Sequence, residues 1–345
     1  MHTRRSLLMS LSAAMAVAPL SPLLGAQTGF RKPARLRIGD TVGLIEPASA
    51  TDDAFDLTLI EEGIRAMGLV PKRAAHLLGR FGYLSGSDKD RAADVNAMFA
   101  DPSVKAIFAV RGGWGCARIL PYLDWRVIAA NPKLLIGYSD ITALHMAIAA
   151  KAGFTTIHGP NAASAWGKAS VDSFKAVAFD AGTPLYANPV ATDDRLVQRK
   201  WRTPVVGKGK ASGRLLGGNL TVLTALVGTP YLPDFSGAIL FLEDVDEAEY
   251  RIDRMLTQLG QAGILGKVAG VVFGQCTDCR ARVGGGYGGF TLGDVLRQHI
   301  GTLGVPAFEG AYFGHIADQF SLPVGARAEI DADAGTIRLL ESAVR

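Results

Sequence analysis

Cysteine is scarce in this chain, and its scarcity excludes several kinds of site. Cys116, Cys276 and Cys279 are the three cysteines among 345 residues, and an odd number cannot form a complete disulfide framework. Cys276 and Cys279 have C-x-x-C spacing, but a zinc site needs two further ligands and the sequence has no second such pair. The motif also follows a late strand, which does not fit a thioredoxin-like site. We expect a local disulfide or two unpaired thiols, and no metal or cofactor.

Dense positive charge is also lacking, so nucleic acid is not an expected partner. The formal net charge is only +4, and we interpret the basic cluster Arg199–Arg202 as a solvated face. The sequence shows no internal repeat and no low-complexity composition. With 48% hydrophobic residues, the chain is long enough for two globular domains with cores of their own.

Runs of apolar residues long enough to span a membrane are absent after residue 26. Residues 1–26 combine Arg4 and Arg5, an apolar stretch and a small-residue cleavage site at Ala26. They resemble a twin-arginine export leader. We expect the leader to be removed, the mature protein to lie in the periplasm, and no stable membrane insertion to remain. The alternative is a retained anchor, which the prolines in the stretch disfavour.

Strands and helices alternate along the rest of the chain, which predicts an α/β fold. Residues 35–163 fit an N-terminal parallel-sheet domain of Rossmann or flavodoxin-like type. Residues 212–341 fit a C-terminal α/β domain with a mixed sheet, and the weakly patterned residues 164–211 are interpreted as the connection. The alternating tail, Ala328–Ala332, is typical of an edge-type strand. The clearest strands are expected at 41–45, 104–110, 134–136, 237–242 and 268–273, and the clearest helices at 56–67, 88–99 and 247–259.

One strand–turn–helix junction carries the first candidate for chemistry. Leu134–Ile136 predicts a buried strand, and Leu144 and Ile148 belong to the helix that follows. Ser139 and Asp140 lie between them, where a hydroxyl is exposed beside the unpaired N–H groups of the helix start. That arrangement suits a nucleophile with an oxyanion site. The alternative is that either residue only caps the helix.

A serine nucleophile needs a base, and the base needs a carboxylate that orients it. His158 and His315 both follow strands at glycine-rich turns, and from the residues alone either could be the base. His145 lies nearly two turns along the helix and cannot reach back to the serine, while His2, His76 and His299 have no distinctive setting. Glu243 ends a very apolar strand, where burial without a partner would be costly. Its alternative is an exposed carboxylate beside a helix cap.

Five short motifs occur in an order and spacing that resemble the LD-carboxypeptidase family, the serine peptidases that trim murein tetrapeptides. The motifs, which together span roughly residues 35–340, are Arg111-Gly112-Gly113-Trp114-Gly115, Gly137-Tyr138-Ser139-Asp140, Gly217-Gly218-Asn219-Leu220, Leu242-Glu243-Asp244 and Phe313-Gly314-His315. Two features depart from the family pattern. The family's cytoplasmic recycling enzymes have no leader, and residues 276–289 form an insertion.

The resemblance implies a catalytic Ser139, Glu243 and His315, divided between two α/β domains. It implies an oxyanion hole formed by the backbone N–H groups of Gly113 and Asp140, and usually a homodimer. The expected reaction is hydrolysis of the L,D-peptide bond of a muropeptide with release of terminal D-alanine.

An exopeptidase must also recognise a free carboxylate, and the fork-shaped guanidinium of Arg111 suits that task. Bracing of its loop is the alternative role for Arg111. Asn219 is a second candidate for substrate binding.

The sequence is also compatible with two other functions. An immunity-type peptidase that cleaves a peptide–nucleotide antibiotic would need an aromatic platform, for which Trp114 and Trp201 are candidates, although packing also explains both. A non-catalytic muropeptide-binding protein would be expected to lack one of the three catalytic residues, and none is missing here.

Overall fold

The computed structural model describes residues 29–51, 53–190, 196–279 and 289–345. The expected export leader, residues 1–26, and most of the 276–289 insertion lie outside the described residues. No described helix combines the length and the apolar character that crossing a membrane requires.

The first half of the chain alternates strands and helices, as expected. Its elements are β1 (Thr41–Ile45), α1 (Ala54–Ala66), β2 (Val70–Arg73), α2 (Asp88–Ala100), β3 (Val104–Ala109), α3 (Cys116–Ile119), α4 (Trp125–Ala130), β4 (Leu134–Gly137), α5 (Thr142–Lys151), β5 (Thr156–His158) and α6 (Lys168–Ala178). Polar side chains define where several of these helices begin. Asp53 accepts hydrogen bonds from the N–H groups of Phe55 and Asp56 at the start of α1, and Ser87 accepts one from Asp90 at the start of α2.

The second half contributes more strands than helices. Its elements are β6 (Leu185–Ala187), β7 (Val205–Gly207), β8 (Lys210–Asn219), α7 (Leu220–Ala225), β9 (Ile239–Val245), α8 (Glu249–Gln261), β10 (Gly270–Thr277), α9 (Leu292–His299), β11 (Ala307–Glu309), β12 (Leu322–Val324), β13 (Arg327–Asp331) and β14 (Thr336–Leu339). Cys276, in β10, forms a disulfide with Cys279, and Cys116 is a buried free thiol.

The predicted fold class is confirmed, because two sheets form the centre of the protein. The first has the strand order β12-β5-β4-β3-β1-β2. Its five N-terminal strands are parallel and follow the flavodoxin-like order. The second has the order β6-β14-β13-β8-β9-β10-β11-β7. It is mixed, with β8 to β11 parallel and the outer pairings antiparallel.

The two halves exchange segments. Residues 164–211, interpreted as a connection, contribute α6 and two short strands of the second sheet. Phe174 of α6 is fully buried and packs edge-on against Phe108 of the first sheet. In the other direction, β12 leaves the second half and pairs antiparallel with β5, with Leu322 opposite His158. The chain therefore returns to the first sheet shortly after His315.

The prediction of an edge-type strand at Ala328–Ala332 is wrong. β13 lies inside the second sheet, paired with β14 on one side and β8 on the other. Alternation shows only that one face of a strand is buried and the other is not, and an interior strand of an antiparallel region meets that condition equally well. The hairpin partner β14, which covers the expected edge, was not recognised in the sequence.

The burial of Ile330 on one face of β13 predicts a large difference between two neighbouring substitutions. Ile330 is fully buried, so Ile330→Ala should lower the free energy of unfolding by about 2–5 kcal/mol in urea titrations. Glu329 faces the other side of the same strand, and Glu329→Ala should change it by less than about 0.5 kcal/mol as the matched control. Equal effects of the two substitutions would contradict this placement.

Candidate active site

The turn after β4 places Ser139 at the carboxyl edge of the first sheet. Ser139 begins a single 3₁₀ turn, Ser139–Ile141, that leads directly into α5. Its φ of 65° lies in the left-handed region, which is costly for a residue with a side chain and is concentrated at functional sites. The sharp turn leaves the hydroxyl at the edge of the sheet, as predicted from the sequence.

Ser139, His315 and Glu243 lie together in one chain of hydrogen bonds. The Oγ of Ser139 is 3.0 Å from Nε2 of His315, and Nδ1 of His315 is 2.7 Å from Oε2 of Glu243. Glu243 lies two residues before the end of β9 (Ile239–Val245) and is fully buried, so the alternative of an exposed carboxylate is wrong. A hydroxyl, an imidazole and a carboxylate in this order can transfer the hydroxyl proton to the imidazole while the carboxylate orients the ring.

The surroundings of His315 favour its protonated form. Burial lowers the pKa of His315, but the hydrogen bond and the negative charge of Glu243 together outweigh burial and raise the pKa above its ordinary value. The ring of Tyr138 packs against the imidazole with 4.8 Å between ring centroids. His315 is thus held by a carboxylate at one nitrogen and by an aromatic ring at its face.

The other two histidines near this edge are fully buried and make no hydrogen bond to Ser139. Nδ1 of His145 is 2.8 Å from Thr156 Oγ1, and its Nε2 is 2.8 Å from the carbonyl oxygen of Gly137. Burial lowers the pKa of His145 to about 4. His158 is fully buried against Phe241, and neither ring nitrogen has a hydrogen-bond partner among the described residues. His315, not His158, therefore adjoins the serine hydroxyl.

A glycine turn after β3 packs directly against the serine. A methyl group added to Gly112 would lie 2.9 Å from Cβ and 3.1 Å from Oγ of Ser139. Gly113 has a φ of 107°, and a side chain there would collide with Ser49. Within the described part of the chain, the N–H groups of Gly113 and Asp140 have no hydrogen-bond acceptor. Both groups are therefore available to a negatively charged oxygen near Ser139.

These residues surround an open cleft of about 510 Å³. Its walls include Arg111, Gly113, Tyr138, Ser139, Asn161 and His315. Arg111 lines the cleft and also donates a hydrogen bond from Nη1 to the carbonyl oxygen of Ala50 at 3.0 Å. The bracing role expected as the alternative for Arg111 is therefore present, and Arg111 is also a residue of the cleft wall.

Asn219 lies in the packing between the two halves and is not among the residues that line the cleft. Its side chain accepts from the N–H of Val222 and donates to Asp244, each at 3.0 Å. Its own N–H donates to Thr142 Oγ1 at 2.9 Å. Asn219 thus caps α7 and ties β8 to the helix that follows Ser139, while its predicted contact with substrate stays a prediction.

Two carboxylates near the site were not recognised as important in the sequence. Burial and the charge of Glu243 raise the pKa of Asp244 to about 6, and Asp244 accepts hydrogen bonds from Asn219 and Thr221. Asp140 was considered for its backbone N–H and as a cap, yet its side chain accepts the N–H of Cys116 at 2.7 Å. The adjacent carboxylates Glu243 and Asp244 at the end of an apolar run are the sequence signal that could have identified Asp244.

No group of three or more His, Cys, Asp or Glu side chains that could hold a metal ion occurs among the described residues.

The fold and the site define a two-sheet α/β protein with a serine, a histidine and a glutamate joined by hydrogen bonds, and comparison with known proteins identifies its family. Two family models match the chain. The one described as "LD-carboxypeptidase N-terminal domain" matches residues 42–159, and the one described as "LD-carboxypeptidase C-terminal domain" matches residues 212–330. The chain therefore belongs to the LD-carboxypeptidase family, and it is a hydrolase of the carboxypeptidase type.

Individual relatives agree with this assignment over most of their length. A murein tetrapeptide carboxypeptidase of Pseudomonas aeruginosa is 32% identical over 314 residues, which cover 86% of this chain and 94% of the relative. A Bacillus subtilis protein named "Probable murein peptide carboxypeptidase" is 37% identical over 309 residues, covering 87% and 91%. The structure of a mutant of the Escherichia coli microcin C7 self-immunity protein MccF with adenosine monophosphate superposes with a TM-score of 0.81 at 28% identity, covering 91% and 100%.

The close approach of Gly112 to Ser139 predicts a strong effect from a single methyl group. Gly112→Ala should preserve the fold, because the φ of Gly112 is not in the left-handed region, but should displace the serine hydroxyl and lower kcat/KM by about 10- to 100-fold. Steady-state kinetics with a check of thermal unfolding would measure this. Gly63→Ala is the matched control, since a methyl group there meets no neighbouring atom within 4 Å. Full activity of Gly112→Ala would contradict the packing described.

The Glu243 contact predicts how His315 titrates. In the free enzyme, NMR of the imidazole should give a His315 pKa above the ordinary value of a histidine side chain. In Glu243→Gln the burial remains but the negative charge is lost, so the pKa should fall below that of the wild type. Activity requires the neutral imidazole, so in the wild type it should rise as pH increases through this pKa. An unchanged pKa in Glu243→Gln would count against the pairing.

Proposed function

We propose that this protein is a serine carboxypeptidase that hydrolyses the L,D-peptide bond of murein tetrapeptides and releases terminal D-alanine in cell-wall turnover. The observation that carries the proposal is the chain of hydrogen bonds from Ser139 through His315 to Glu243, at 3.0 and 2.7 Å. The murein substrate is supported by the names of the Pseudomonas and Bacillus relatives.

The proposed reaction proceeds in two steps through an acyl-enzyme. Nε2 of His315 takes the proton of Ser139 as Oγ attacks the carbonyl carbon before D-alanine, and the N–H groups of Gly113 and Asp140 stabilise the oxyanion. His315 then gives the proton to the departing amine of D-alanine. In the second step His315 takes a proton from water, and the water oxygen attacks the acyl carbon. The bond between that carbon and Ser139 Oγ then breaks, His315 returns the proton to Oγ, and the tripeptide leaves with a free carboxylate.

Recognition of the terminal carboxylate is assigned to Arg111 in this proposal. Arg111 is one of the residues that line the cleft, next in sequence to the turn that carries the Gly113 N–H. A planar guanidinium can bind a carboxylate through two parallel hydrogen bonds. The hydrogen bond from Arg111 to Ala50 would hold the side chain in place for that contact.

The proposed setting is the periplasm, with export by the twin-arginine route and a homodimer as the working form. The basis for export is the sequence of residues 1–26 alone. The muropeptide is the proposed small-molecule partner, and neither nucleic acid nor stable membrane insertion is part of the proposal.

A second candidate is an immunity-type peptidase that opens a peptide–nucleotide antibiotic. The resemblance to MccF and the exposed indole of Trp114, next to Gly113, favour it. Trp201 is a weaker platform, because it packs edge-on against Tyr312 at 4.6 Å between ring centroids. Comparing turnover of a murein tetrapeptide with that of an aminoacyl-sulfamoyl adenosine separates the two candidates. Faster turnover of the nucleotide conjugate would favour the immunity function.

The proposed nucleophile predicts a complete loss of activity from the removal of one oxygen atom. Ser139→Ala should keep its thermal unfolding midpoint yet release no measurable D-alanine from L-Ala-D-Glu-meso-diaminopimelate-D-Ala, because the group that forms the acyl-enzyme is gone. Chromatography of the released amino acid would measure this, with Ser342→Ala, at the C-terminus, as the control. Release at the wild-type rate by the Ser139→Ala variant would refute the proposal.

A further inference from the structure

One peptide bond beside the site is held between two buried charged side chains. The carbonyl oxygen of Gly115 accepts a hydrogen bond from Nη1 of Arg91 at 2.9 Å. The N–H of the same peptide unit, that of Cys116, donates to Oδ2 of Asp140 at 2.7 Å. Arg91 is 1% exposed and Asp140 is 0% exposed, so water does not compete for either contact. Hydrogen bonds to charged groups are shorter and stronger than neutral ones.

The same turn is fixed at its other end by Ser49. The N–H of Ser49 donates to the carbonyl oxygen of Gly112, and the N–H of Trp114 donates to Oγ of Ser49, each at 3.3 Å. The N–H of Gly113 lies between these two anchored positions and has no acceptor among the described residues. The turn from Gly112 to Cys116 is therefore held at both of its ends, and the Gly113 N–H is left available near Ser139.

Asp140 contributes two groups to this site, its backbone N–H and its side-chain carboxylate. Its backbone N–H is one of the two proposed oxyanion donors, and its carboxylate anchors the turn that carries the other, Gly113. We propose that Asp140 is a positioning residue that sets the two oxyanion donors relative to each other through the Cys116 N–H, with Arg91 bracing the opposite side of that peptide. This inference rests on the proposed function, since it concerns the oxyanion site of the same serine.

Stability alone does not account for a carboxylate at this position. Oδ1 of Asp140 is buried and has no hydrogen-bond partner among the described residues, and such burial of an unpaired charged oxygen costs free energy. Burial also raises the pKa of Asp140 above its ordinary value. Hydrogen bonds from Cys116 and Gly115 and the charge of Arg91 lower the pKa of Asp140, but burial outweighs them.

The rate of labelling by a fluorophosphonate tests the proposal without any peptide substrate. In labelling, Oγ of the serine bonds to phosphorus, fluoride leaves, the serine proton passes to His315, and the phosphoryl oxygen occupies the oxyanion position. Asp140→Ala should label about 10- to 100-fold more slowly than the wild type, because misplaced oxyanion donors lose much of their effect. Asp140→Asn should recover most of the lost rate, because an amide oxygen can still accept the Cys116 N–H.

Asp94 provides the matched control. It is also a buried aspartate, 5% exposed, and its Oδ2 accepts the N–H of His76 at 3.1 Å, away from the cleft. Asp94→Ala should label at the wild-type rate even if its thermal unfolding midpoint falls. In D-alanine release, Asp140→Ala should show a lower kcat with an unchanged KM, as expected for an interaction made only in the transition state.

The possible outcomes separate the two proposals. A wild-type protein that does not label at all would overturn the serine mechanism itself. Labelling of folded Asp140→Ala at the wild-type rate would overturn the positioning role while leaving the serine mechanism in place. If Asp140→Ala does not fold, Asp140→Asn decides. A rate in Asp140→Asn between one tenth of the wild-type rate and the full rate supports the role, and a rate below one tenth contradicts the rescue on which it depends.

Discussion

The hydrogen bond between Ser139 and His315 is the contact on which the whole site depends, because it joins two halves of the protein. The two residues are 176 positions apart in the chain and lie at the carboxyl edges of different sheets. Two other contacts keep these edges together. β12 leaves the second half and adds to the first sheet beside β5, and the N–H of Asn219 binds Thr142 at the start of α5. A change that separates the sheets would separate the serine from its base without altering either residue.

The cost of assembling the site falls on its backbone and on its buried charges. Ser139 adopts a left-handed conformation, Glu243 is fully buried, and the oxyanion donors have no partner among the described residues. Each of these features is unfavourable alone, and together they place reactive groups in fixed positions before a substrate arrives. Hydrogen bonds in the surrounding structure maintain these positions. His145 binds the carbonyl oxygen of the last residue of β4, and Arg91 and Asp140 bind the peptide unit between Gly115 and Cys116. Because the chain belongs to the LD-carboxypeptidase family, we interpret this arrangement as the site of a hydrolase reaction.

The sequence predicted the parts of the structure that leave a local pattern. The bounds of β1 were predicted as observed, because an apolar run between turn residues is a strong signal, and Ser139, Glu243 and His315 all follow or end such runs. Contacts between distant segments were not predictable. β12 has three residues and no periodicity, and the interior position of β13 depends on a partner strand. The capping role of Asn219 and the hydrogen bond from the Cys116 N–H to Asp140 could not be predicted from the sequence. Both depend on which backbone groups lie nearby in space. The family resemblance implies His315 rather than His158 as the base. The geometry adds the reason, because among the described histidines only His315 lies beside both the serine and a carboxylate.

We propose that the two halves together form a peptidase specific for the terminal D-alanine of murein tetrapeptides. This proposal is tested most directly by mass spectrometry of a muropeptide mixture incubated with the purified protein. The account predicts that tetrapeptide stems are converted to tripeptides with release of D-alanine, while pentapeptide and tripeptide stems are unchanged. Cleavage at another bond, or a mixture that remains unaltered, would contradict it.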